Sequence, residues 1–148
     1  MLSEDLIKIF ERDLNQLIKE IELYKNEQNL WTLDKDIKNS AGNLCLHLID
    51  NLNHFIGAQL GNTGYIRKRE LEFSLKNIPV AKLKEEIELT KELIKEGLSK
   101  LKNDDLINEY PINVFGVSMS TQYFLVHLTT HLAYHLGQIN YHRRLLET

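Results

Sequence analysis

Apolar residues return at helical spacing along four stretches of the chain, which the segments around Pro79 and Pro111 help to divide. In the first, from about Leu2 to Asn26, Leu6, Ile9, Phe10, Leu14, Leu17, Ile18, Ile21 and Tyr24 follow i, i+3, i+4, i+7 spacing. Ser3 is its expected N-cap, and Lys, Glu and Asp fill the other face. The second opens at the expected cap Ser40, carries Leu44, Leu46, Leu48, Ile49, Leu52, Phe55, Ile56 and Leu60, and stops at Gly61; Asp50 is its one formal charge. The third follows Pro79 and sets Leu83, Ile87, Ile94, Leu98 and Leu101 against a face of Lys and Glu. The fourth starts near Ser120 or Thr121 and runs towards Leu146, with Phe124, Leu125, Leu128, Leu132, Leu136 and Ile139 as its apolar repeat. It ends in Arg143 and Arg144, favourable at a helix C-terminus.

This pattern predicts an all-α four-helix bundle, formed as one domain over residues 1–148. Between Tyr110 and His142 there is no Asp, Glu, Lys or Arg, whereas the first and third helices are charged along a whole face. A helix without charges is expected to lie against protein on most sides, so the second and fourth helices are read as an inner pair. The connections between helices two and three (about eighteen residues) and three and four (Asp104 to Met119) exceed the usual two to eight residues of bundle loops. The second of these carries β-branched and aromatic residues from Tyr110 to Val117, which suggests a short extended segment over one end of the bundle.

Charge narrows the function classes. A formal net charge of −3 argues against a nucleic-acid binder. No stretch approaches the ~20 apolar residues of a membrane span. The single Cys45 has no partner for an internal disulfide, and no leader pattern opens the chain, so a reducing cytoplasm is the expected compartment.

All six histidines fall on the two charge-poor helices: His47 and His54 on the second, and His127, His131, His135 and His142 on the fourth. At 100° per residue, His127, His131 and His135 form a ladder along one stripe. Buried imidazoles need partners for both ring nitrogens, and one metal ion satisfies several at once. Residues four apart on a helix are ~6 Å apart along its axis, so an ion takes one neighbouring pair, His127 with His131 or His131 with His135. The facing helix then supplies a third ligand, His47 or His54. Three ligands leave a coordination position open, as in catalytic sites. The competing expectation is a set of core histidines bonded to Tyr, Thr and Asn neighbours.

Other residues add detail. His127 to His131 has the spacing of a zinc-protease helix, but Leu128 stands where the general-base Glu is required, which excludes that chemistry. Cys45 points away from His47 and reads as a small core hydrophobe. Asp50 and Asn51, one turn after His47, are placed to orient an imidazole or assist metal-bound water, or else to bond between helices. In the basic loop around Gly64, Arg67 and Arg69 are candidates for holding an anionic substrate group, with ion pairs to Glu70 and Glu72, or to a partner subunit, as the alternative. Tyr134 can border a pocket, although its spacing with Tyr123, Phe124 and Tyr141 suits packing.

The run His131-Leu-Ala-Tyr134-His135-Leu-Gly-Gln138-Ile on the last helix, with His47 in Leu44-Cys-Leu-His-Leu-Ile on the second, resembles the DinB-like superfamily of bacterial metal-binding four-helix bundles. That family includes thiol S-transferases using bacillithiol or mycothiol and related metal-dependent hydrolases. The resemblance implies that His47, His131 and His135 are the metal ligands, with His127 at a position that is often His but not usually a ligand. It also implies nickel or zinc as the ion, a homodimer, and a small-molecule substrate. Leu136 stands where many members carry Arg, and the segment from Gly57 to Arg67 is similar to an uncharacterised subgroup. The function expected on these grounds is hydrolysis or thiol transfer at a three-His ion, the alternative being a non-catalytic, stress-associated metal-binding dimer.

Overall fold

The computed structural model describes residues 1–148 and is all-helical, with no β-strand. The α-helices are α1 (Leu2–Glu22), α2 (Ala41–Leu52), α3 (Arg69–Ser74), α4 (Val80–Ser99), α5 (Asn103–Ile107) and α6 (Thr121–Leu146). A 3-10 turn at Glu27–Trp31 precedes α2, and a π-helical turn at Asn53–Ala58 extends it. No helix is long and apolar enough to cross a membrane.

The caps follow local chemistry. Ser40 Oγ accepts from the Asn43 amide to start α2, and Ser120 Oγ accepts from the Tyr123 amide to start α6, each satisfying an amide left free in the first turn. Helix α4 begins directly after Pro79, whose fixed φ suits a helix start. Helix α1 opens one residue earlier than its expected cap: Met1 takes the N-cap position and Ser3 is buried inside the first turn. Gly42 is required by close packing, since a Cβ there would stand 2.6 Å from the Trp31 ring that lies on the start of α2.

Helices α1 and α2 each pack against both α4 and α6, enclosing a core that includes Leu6, Phe10, Leu14, Leu48, Leu52, Ile87, Leu98, Phe124 and Leu132. Cys45 is fully buried in that core, and burial pushes its thiol up to about 12, as suits an inert core residue.

Three features differ from the sequence expectation. The second helix changes to π geometry at Asn53 rather than running regularly to Gly61. The two connections carry α3 and α5, and the expected extended segment is reduced to one bridge between Glu109 and Ser120, with Tyr110 packed on Phe124 at 4.4 Å between ring centroids. Helix α2 is enclosed, but α6 is not an inner helix: Tyr123, Val126, Tyr134, Tyr141 and Leu145 are exposed along one side. Its lack of charge reflects an uncharged open face, not burial on all sides.

Candidate metal centre

Helix α2 turns His47 inward, and α6 presents His131 and His135 one turn apart on the face opposite it. Their ring centroids are 5.0 Å (His47 to His131), 5.2 Å (His47 to His135) and 4.6 Å (His131 to His135) apart. One nitrogen from each lies within 4.8 Å of the others, close enough to hold a metal ion.

Hydrogen bonds outside the triad fix two of the rings. His47 Nδ1 lies 2.8 Å from Glu72 Oε1, and a carboxylate only accepts, so the His47 proton sits on Nδ1 and leaves a lone pair on Nε2. His135 Nδ1 donates to Gln138 Oε1 at 2.7 Å with the same result. His131 Nε2 is 3.1 Å from His47 Nε2, while its Nδ1 is buried without a partner. With the His47 and His135 protons on Nδ1, their Nε2 lone pairs are free and His131 Nε2 lies against that of His47, an arrangement that one divalent cation could share.

Burial keeps His47 and His131 neutral. His131 is pushed down to about 4, first by burial and then by the charges His135 and His47 would carry, and His47 is lowered because burial outweighs Glu72. Neutral imidazoles are the ligating form.

The support behind His47 comes from the connection between α2 and α4. Glu72 on α3 has no exposed side-chain surface; besides His47 it takes Arg67 Nε at 2.7 Å and Arg67 Nη2 at 2.9 Å. Asn43 holds α3 in place, its Nδ2 donating to the carbonyls of Glu72 at 2.9 Å and Leu75 at 2.8 Å. Sequence reasoning offered Glu72 only as an ion-pair partner of Arg67 or Arg69; nothing in the spacing ties it to a histidine 25 positions earlier.

The remaining site candidates fall at varied places. His127 stacks on Phe124 at 5.7 Å and meets the edge of Phe115 at 4.9 Å, while its ring is 6.2 Å from His131, so it belongs to an aromatic group beside the triad. His54 lies on the π-helical turn against Phe55, outside the triad. Arg67 is held by Glu72 and lies 5.7 Å from the Phe55 ring centroid; Arg69 is exposed. Asp50 pairs with Tyr65, and its carboxyl is raised mainly by burial; Asn51 Oδ1 is buried without a partner. Tyr134 is exposed beside His135, with ring centroids 5.3 Å apart.

His142 has a different environment. Tyr24 Oη donates to its Nδ1 at 2.6 Å and its Nε2 donates to the Thr32 carbonyl at 2.8 Å, so both ring nitrogens are satisfied within the core.

Comparison with protein-family models finds no match, and comparison with curated proteins finds none either.

Proposed function

We propose that the chain is a metal-dependent enzyme of the DinB-like superfamily, built as a four-helix bundle of α1, α2, α4 and α6 and assembled as a homodimer. Its His47, His131 and His135 hold one divalent ion, nickel or zinc. The observation that supports this most directly is the convergence of the three imidazoles with the His47 and His135 protons drawn outward by Glu72 and Gln138. Three protein ligands leave a position for a small molecule, and an ion so held supplies Lewis acidity to water in hydrolysis or to a low-molecular-weight thiol in transfer. The protein's own part is to fix ring orientation through Glu72 and Gln138 and to keep His131 neutral through burial.

A second reading is a non-catalytic metal staple between α2 and α6. The state of Glu72 favours it: this carboxylate at the triad is buried and committed to both His47 and Arg67, so it is not free to accept a substrate proton.

The first experiment is elemental analysis of tag-free protein beside folded His47→Ala and His131→Ala variants. Near-stoichiometric metal in the wild type, lost in both variants, is expected. Wild type that neither carries nor takes up zinc or nickel would overturn the metal reading. Spectroscopy of a cobalt-loaded sample then separates an open five- or six-coordinate site from a closed one, and light scattering reads the assembly.

A further inference from the structure

Beside the histidine triad, the C-terminal half of α6, the start of α2 and the segment from Asp34 to Asn39 enclose a cavity of about 520 Å³. That volume falls within the range of small-molecule sites, roughly 300–1,000 Å³. Its apolar lining comes from Ile37, Leu44, Tyr134, Tyr141, Leu145 and Leu146. His135 and Gln138 form part of the wall, so the cavity and the triad share a side chain.

The polar groups of the cavity are donors in surplus. Lys35 and Lys38 stand on its rim, and neither is among the lysines engaged in ion pairs, which are Lys8, Lys82, Lys84, Lys91 and Lys100. Gln138 uses its Oε1 on His135, which leaves its amide NH2 free to donate. Asp34 is the one acidic residue of the lining, so two lysines against one aspartate favour a single negative charge over two.

We infer that this cavity is a binding site for a small monoanion with an apolar body, its head at Lys35, Lys38 and the Gln138 amide and its body on Leu44, Tyr134 and Tyr141. The apolar wall favours a ring or short alkyl body through area removed from water, and the lysines fix which end faces out. That such a ligand is the substrate of the neighbouring ion rests on the metal-dependent reading above; that the cavity binds it does not.

The test is a pair of fluorescent probes with the same ring skeleton: 8-anilinonaphthalene-1-sulfonate, which is anionic, and N-phenyl-1-naphthylamine, which is neutral. Each is titrated into the full chain, with and without zinc. One saturable sulfonate site per chain is expected in both forms, at least about tenfold tighter than the neutral probe. The double variant Lys35→Ala/Lys38→Ala, and separately Ile37→Glu, should each weaken the sulfonate by about tenfold, while the lysine variant leaves the neutral probe unchanged. These three positions are exposed on a connecting segment, and unchanged thermal midpoints establish that the variants fold. Equal binding of the two probes, or sulfonate binding indifferent to both variants, overturns the inference. Loss of the metal reading shows in elemental analysis and leaves probe binding intact; loss of the cavity reading leaves metal content intact.

Discussion

Glu72 Oε1 lies 2.8 Å from His47 Nδ1, and the carboxylate that makes this contact also carries Arg67 across both of its oxygens. Arg67 Nη2 shares Oε1 with His47 and lies 3.4 Å from its Nδ1, so a nearly buried guanidinium, 11% exposed, the carboxylate and the imidazole that faces the α6 histidines meet in one cluster. Replacing Glu72 by Gln leaves Arg67 without its counter-charge in a buried setting, which costs about 3–5 kcal/mol. It also removes the carboxylate that holds the His47 tautomer, a change that typically costs about 10–100-fold in metal affinity. Glu72→Gln is therefore expected to lower both the thermal midpoint and the affinity for zinc, measured by competition with a chromogenic chelator. Unchanged zinc affinity in the folded variant would separate Glu72 from the metal site.

His131 gives the opposite sign. Its Nδ1 is buried without a partner, and an unmet polar atom of this kind costs about 1–3 kcal/mol. His131→Leu is expected to leave the metal-free protein as stable as wild type or more stable, while abolishing metal uptake. If the histidines were a satisfied core network, the same substitution would destabilise the metal-free protein. Differential scanning calorimetry on chelator-treated samples distinguishes the two.

The elements that carry the site were legible where the information is local. Ser40 and Ser120 announce two helix starts through their own hydroxyls, and His131 with His135 share a face because four residues make about one turn. The His135 to Gln138 bond is an i, i+3 contact on one helix and follows from the same geometry. The π turn at Asn53–Ala58 left no mark, because adding part of a residue to one turn barely alters an apolar pattern. His127 has the same spacing to His131 as His135 does; Phe115, from the preceding connection, and Phe124 surround it instead, and no spacing rule encodes that. Glu72 reaches His47 only through the path of the chain between α2 and α4, and the absence of charge in α6 did not distinguish an open face from a covered one.

Tyr24 and His142 provide the structural counterpart to the triad. Tyr24→Phe removes the donor to His142 Nδ1 and leaves that nitrogen buried and unmet, at a cost of about 1–2 kcal/mol. For a chain of this size that lowers the thermal midpoint by about 2–6 °C. Metal content should be unchanged, because His142 already satisfies both nitrogens within the core. Loss of metal in Tyr24→Phe would show that the two histidine environments are coupled.

The response to acid follows from His131. In the unfolded chain an imidazole takes up its proton near pH 6.5, whereas burial and the neighbouring rings hold folded His131 off to about 4. Between those values the unfolded chain binds the extra proton, so folding stability of the metal-free protein is greatest above about pH 7 and falls as the pH drops, the loss being complete near pH 4. His47 is shifted in the same direction, which adds to the loss. Protons compete with the ion for the same lone pairs, so metal uptake should decline over the same interval. Carboxylates also titrate in acid, and the informative quantity is therefore the difference between wild type and His131→Leu. The wild-type midpoint should fall more steeply from pH 7 to pH 5 than that of the variant, by several degrees. Parallel curves would mean that His131 takes up its proton in the folded protein as readily as in the unfolded one, contrary to the burial that holds it neutral.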